Sequence, residues 1–338
     1  MNCEPAARVY RGVTEEAEHH ADIAVVDANG KLTHNYGNPD AVYMTRSSIK
    51  PFQALPLILT GGFDHFKFER RHLAIMCSSH SGTDEHVAVV REALAKAGNS
   101  PGDLQCGSGW PLYFQFEGMT PPISDDQFGC LRSDCSGKHA GFLALARYLG
   151  EQTSEYLNPD SRAQQMIMQT VAEVCEYPVA KITIGVDGCS APNFSLPVKN
   201  LAIGFKNLAL AKSPDESVRQ ALARVFDAMT NEPYLVAGHK RFCYDFMRAF
   251  PGNGVTKLGA EAVQGVGFSD PPIGIAVKVL DGAVRALGPI CLHVLEQLGL
   301  IRFDLSTSPL AVYESPEVRN ARGLVTGRMV VDFRLEKA

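Results

Sequence analysis

Two short apolar-rich runs open the chain, Asp22 to Val26 and Lys31 to Tyr36, with Asn29-Gly30 between them. Asn-Gly readily supplies the positive φ angles of a type I′ turn, so the pattern predicts a β-hairpin. Ile49, Phe52, Leu55 and Leu59 then recur at helical spacing, predicting a helix over 48–60 that stops at Gly61-Gly62. Pro51 fits that helix only in its first turn, where its missing N–H costs nothing. The spacing predicts further helices over 84–97, 137–149, 161–175 and 213–229, the first capped by Thr83 or Asp84. The apolar run Leu73 to Met76 reads as a strand leading into the 84–97 helix. Lys181 to Val186, Gly274 to Leu280, Val284 to Leu287 and Arg328 to Phe333 also read as strands. Strands near both ends with helices between them predict an α+β fold whose antiparallel sheet gathers both chain ends.

With 338 residues, no internal repeat and no low-complexity linker, residues 1–338 are expected to form one unit. A net charge of -5 and the lack of any Lys/Arg run argue against nucleic acid as a partner. No window is apolar enough for a membrane span, and Met1 to Arg11 lacks the apolar core of a secretory signal. Nine cysteines without a repeating spacing read as reduced thiols, so the expected location is cytoplasmic.

Three polar clusters carry candidate chemistry. Ser47 and Lys50 are spaced i, i+3, which on a helix puts both on one face within hydrogen-bonding reach, whereas Ser48 points elsewhere. A neutral lysine can take a serine proton, as in the Ser-x-x-Lys nucleophiles of serine β-lactamases and penicillin-binding proteins. A chain this long matches that pattern roughly once by chance, and on spacing alone a capping serine beside an exposed lysine is the better explanation. Its place at a helix start favours chemistry, because backbone N–H groups there can bind an oxyanion. The second cluster, Cys77-Ser-Ser-His80-Ser-Gly-Thr83, suits a carbonyl-binding loop, and equally a capping loop. The third pairs Cys135-Ser-Gly-Lys138-His139 with Asp187-Gly-Cys189-Ser-Ala-Pro192. There Cys135, His139 and Cys189 suit a metal, and Cys135 alternatively suits a nucleophile with His139 or His80 as base. Lys138, one turn on, would lower the Cys135 pKa and can itself ligate metal once deprotonated.

Taken in order, Arg46-Ser-Ser-Ile-Lys-Pro-Phe-Gln53, Cys77 to Thr83, Cys135-Ser-Gly-Lys-His-Ala-Gly-Phe142, Gly185 to Pro192 and Lys257-Leu-Gly-Ala-Glu261 resemble the bacterial asparaginase II family, the Rhizobium-type or class 3 L-asparaginases. The resemblance implies the fold of serine β-lactamases and glutaminases, L-asparagine as substrate and a homodimer. It implies Ser47 as nucleophile with Lys50 as base, and a second pair of Ser79 with Lys257, for which Lys278 competes. It also implies zinc on Cys135, Lys138 and Cys189, accessory to catalysis. Arg46, His80, Asp187 and His139 are the expected substrate-binding residues for a small zwitterion, with Arg46 or the 77–83 loop for its α-carboxylate and Asp187 for its α-amine. Two positions depart from the family pattern: Ala262, where glycine commonly follows, and Gly109, where histidine is expected. The competing readings are a zinc hydrolase using metal-activated water near Cys135 and Cys189, and a non-catalytic amino-acid-binding module.

Overall fold

The computed structural model describes residues 4–124 and 128–338, so Cys3, counted among the thiols, lies outside it. A six-stranded antiparallel sheet runs in the order Glu336–Lys337, Leu32–Tyr36, Ala21–Asp27, Ile273–Val279, Val263–Phe268, Gly254–Gly259. Both chain regions meet there, because Ala21–Asp27 pairs in full register with Ile273–Val279. A four-stranded sheet joins Glu317–Arg319, Val325–Val331, Ala7–Arg11 and Thr14–His19, and a small one joins Val42–Met44, Pro192–Pro197 and Ile184–Val186. The α+β expectation holds.

The helix Val198–Leu210 lies against the six-stranded sheet, and glycines make that approach possible. A Cβ at Gly265 would enter the Phe205 ring, and one at Gly274 would meet the Ala202 carbonyl. On the other side of the molecule the helix Ser136–Tyr148, buried over its first eleven residues, packs between Arg70–Met76 and Asp84–Lys96. A helix so enclosed can hold chemical groups rigidly at its N-terminus, which is where Cys135 stands. Among the described residues no helix is long and apolar enough to cross a membrane. The eight cysteines described are all free thiols.

Several expectations need correction. The hairpin forms, but its turn is not type I′, since Gly30 has positive φ and Asn29 does not. Asp27 accepts from the N–H groups of Asn29 and Lys31 at 2.8 and 3.0 Å, which favours a turn closed by a bulge. Leu73–Met76 belongs to the helix Arg70–Met76, started by a capping box of Glu69 and His72. Val284–Leu287 opens the helix Val284–Gln297, where Ile290, Leu292, Val294 and Leu295 continue its buried side. The 48–60 segment is helical but broken into Arg46–Ile49, Lys50–Gln53 and Leu55–Leu59, with Pro51 and Pro56 each in a first turn.

Candidate active site

Arg46–Ile49 forms a single 3₁₀ turn, closed by the Lys50 N–H on the Ser47 carbonyl. Arg46 enters it at a φ of 53°, in the left-handed region that side chains rarely occupy. Gly259, ending the strand Gly254–Gly259, presses on this turn, and a Cβ there would lie 2.7 Å from the Thr45 carbonyl oxygen. Sheet and turn are thereby locked together. Ser48 is taken out of play, because its hydroxyl donates to the Thr45 carbonyl at 2.7 Å.

Ser47 and Lys50 do share the turn, but the expected direct hydrogen bond is replaced by another arrangement. The fully buried Lys50 Nζ donates to the Ser78 carbonyl at 2.7 Å, Ser79 Oγ at 3.0 Å and Cys135 Sγ at 3.2 Å. Those acceptors match the three donors of an ammonium group. Ser79 Oγ is shared with the equally buried Lys257, whose Nζ lies 2.8 Å away and also donates to the Leu258 carbonyl at 2.7 Å. Lys278 does not compete: its Nζ is held by the carbonyls of Glu261 and Val279. Burial, reinforced by the charge of Lys50, pushes Lys257 down to about 7. The result is a chain of groups, Lys50–Ser79–Lys257, with one amine neutral for much of the time near pH 7.

The cysteine cluster adjoins this chain through Cys135. The contact with Cys189, together with burial, pushes the Cys135 thiol up, and the same contact lowers Cys189. Lys138 Nζ donates to Cys189 Sγ at 3.0 Å. Burial pulls Lys138 down, but the two sulfurs outweigh it and hold its pKa above the usual lysine value. Among the described residues no group of three or more His, Cys, Asp or Glu side chains converges on a metal position. Two thiols and an amine do converge, however, and the fully buried His139 leaves Nε2 without a hydrogen-bond partner beside them. That donor set fits a soft-to-borderline cation such as zinc once the lysine is deprotonated.

A cavity of about 280 Å³ opens over these groups, lined by Arg46, Ser47, Cys135, Asp187 and Cys189, with Trp110 and Gly109 also on its wall. This is a small site by the standard of ligand pockets. Arg46 and Asp187, expected at opposite ends of a substrate, are paired with each other, Nε to Oδ1 at 2.7 Å. Asp187 Oδ1 also accepts from the Gly188 N–H at 2.8 Å. Arg46 Nη1 also lies 3.8 Å from Glu261 Oε1, and both members of the pair line the cavity.

Two expected substrate contacts fall away from the cavity wall. His80 is fully buried, with Nε2 on Ser136 Oγ at 2.8 Å and Nδ1 accepting from the Gly82 N–H at 3.1 Å. Burial holds it well below the ordinary histidine range, so it is a neutral structural link. His139 is tied through Nδ1 to Tyr156 at 2.6 Å and pushed by burial down to about 4. It faces the cysteine cluster rather than the cavity wall. Ala262 has a φ of 54°, in the left-handed region that glycine occupies at least cost. Sequence reasoning missed Arg241, a buried arginine whose Nη1 donates to the Ser79 carbonyl. No motif surrounds it, and only the fold brings it there.

A family model described as L-asparaginase II matches residues 7–331. No curated protein matches the sequence. Solved structures similar to this chain include Mglu in its tris and glutamate form, at 16% identity and a TM-score of 0.40. That match covers 89% of this chain and 64% of Mglu, so the chain spans under two thirds of that protein. A β-lactamase from Mycobacterium bovis matches at 12% identity and a TM-score of 0.42, covering 82% of this chain and 94% of its own. Another from Sphaerobacter thermophilus matches at 13% and 0.40, covering 85% and 94%.

Proposed function

Because this chain belongs to the L-asparaginase II family of amidohydrolases, we propose that it hydrolyses L-asparagine to L-aspartate and ammonia through an acyl-enzyme on Ser47. The observation that carries this reading is the Lys50–Ser79–Lys257 chain beside a cavity-lining serine. A binding protein has no use for two buried lysines on one hydroxyl, since burying each cation is costly.

In the resting state Lys50 is the ammonium with three acceptors and Lys257 is the neutral amine. Ser79 accepts from Lys50 and donates to Lys257, so one concerted shift moves the proton along the chain and leaves Lys50 neutral. Neutral Lys50 then takes the Ser47 proton as Oγ attacks the side-chain carboxamide carbon. The C–N bond breaks, Lys50 returns its proton to the nitrogen, and ammonia leaves. Water, deprotonated by the same lysine, cleaves the β-aspartyl ester and frees Ser47. The Ser47 N–H lies in the first turn of its helix, where backbone donors lack intrahelical partners, and is the nearest candidate for the oxyanion.

Arg46 would receive the α-carboxylate and Asp187 the α-ammonium, both from the cavity wall. We propose zinc on Cys135, Lys138 and Cys189, where it would tie the two turns together and help orient substrate as a Lewis acid. The nucleophile needs no metal in this scheme. A homodimer, carried over from the family, is part of the same proposal.

The substrate is tested by measuring ammonia release from L-asparagine and L-glutamine by the purified protein. Higher kcat/KM for asparagine is expected from the small cavity, and a clear preference for glutamine would overturn the substrate assignment. Arg46→Lys should raise KM for asparagine about 10- to 100-fold with kcat less affected, since one charge-assisted bond is worth about 1.5–3 kcal/mol. An unchanged KM would remove Arg46 from substrate binding.

A further inference from the structure

A second cavity, of about 390 Å³, lies apart from the site just described and is lined mainly by apolar side chains such as Phe116, Leu287 and Val312. Its charged lining is one-sided: Lys240, Arg241 and Arg285 contribute to the wall, and among the described residues no carboxylate does. Two of these cations already have partners. Lys240 pairs with Glu117 at 2.5 Å, and Arg285 Nε is hydrogen-bonded to His19 at 3.2 Å.

Arg241 is different. It is 6% exposed and makes no ion pair among the described residues. Its Nη1 donates to the carbonyls of Ser79 and Ala237, and its guanidinium carbon lies 4.8 Å from the Phe116 ring centre. Nε and Nη2 have no hydrogen-bond partner among the described residues, and Arg241 lines the cavity. An enclosed guanidinium stays charged, and leaving it without a counter-ion is costly. A guanidinium with two uncommitted donors on the wall of an apolar cavity matches a carboxylate carried on an apolar body.

We propose that this cavity is a second binding site, for a small monocarboxylate with an aliphatic or aromatic tail, and that Arg241 couples it to the active site. The ligand carboxylate occupies the free Nε and Nη2 donors while its tail fills the space beside Leu287 and Val312. The bound anion shares the guanidinium with the Ser79 carbonyl and cancels part of the positive charge behind the lysine pair. Lys257 then holds a proton more readily and is less often the neutral amine near pH 7, so the ligand lowers kcat there and leaves KM for the amide substrate unchanged. The binding part of this inference stands alone, and only its kinetic part rests on the proposed amidohydrolase mechanism.

The test is calorimetric titration of the full chain with hexanoate and 3-phenylpropanoate, with hexanamide as the uncharged control. Saturable binding of the carboxylates is expected, at least about tenfold tighter than the amide, as one desolvated charge-assisted contact implies. Val312→Trp, at an exposed position on the cavity wall, should abolish that binding and leave basal turnover intact. Arg241→Gln should also abolish it. Absence of saturable binding, equal binding of hexanamide, or binding unaffected by Val312→Trp would overturn the site. Inhibition that L-asparagine relieves competitively would place the ligand in the catalytic cavity instead and would equally overturn it.

Discussion

Lys50→Met is expected to lower kcat/KM for asparagine by at least about 10⁴-fold, the scale on which nucleophile–base pairs fail when one member is removed. Lys50 is the one group that touches the Ser79 hydroxyl, the Ser78 carbonyl and Cys135 together. Its loss therefore interrupts the proton path and unsettles the cysteine cluster at once. Lys50→Arg separates charge from proton transfer. Guanidinium keeps the positive charge but does not become neutral at working pH, so it cannot act as a base. Steady-state ammonia release should be as low for the arginine variant as for methionine. Substantial activity in Lys50→Arg would show that charge alone suffices and would remove Lys50 as the base.

Lys257→Met should cost about 10²- to 10⁴-fold, the usual range for a general acid–base group. The wild-type pH profile should carry the signature of the same residue. The mechanism needs Lys257 neutral, and burial holds it at about 7. Activity should therefore be present above that value and fall as pH drops through it, with an acid limb that disappears from the residual activity of Lys257→Met. Stability should also fall with falling pH, over a higher range. A lysine whose folded pKa lies below its unfolded one binds a proton on unfolding, which destabilises the folded state progressively as pH falls from about 10 to 7. Replacing Lys257 with methionine should thus raise the melting temperature at pH 7 while activity is lost. A profile with no acid limb near neutrality, or a lower melting temperature in the variant, would contradict this placement.

Most of the long helices were legible, because 84–97 and 161–175 combine caps with apolar spacing over several turns, and 137–149 has such spacing even without a side-chain cap. Short runs were harder. Leu73–Met76 has only four apolar residues, too few to separate a buried helix from a strand, and its capping residues Glu69 and His72 form an unusual box. Val284–Leu287 alone is too short to separate strand from helix, and the helical period shows itself only with Ile290 and beyond. At the site, spacing brought Ser47 and Lys50 onto one turn but could not say that Lys50 turns its three donors inward. His80 and Arg241 exchange importance for the same reason. His80 stands in a conspicuous cluster of hydroxyl residues yet is sealed into the fold by Ser136 and Gly82. Arg241 stands in an unremarkable stretch, 162 residues from the carbonyl it binds. Local pattern reports periodicity and caps; which buried polar groups meet depends on tertiary packing.

The most direct test of the central claim is ammonia release from L-asparagine by the wild type and by Ser47→Ala, each with and without a chelator. The Ser47 side chain lines the cavity, so its replacement should leave the fold intact. Loss of turnover in Ser47→Ala, with wild-type turnover surviving chelation, is the predicted result. Turnover that survives the substitution and dies with the chelator would move the chemistry to the Cys135–Cys189 cluster and contradict the account.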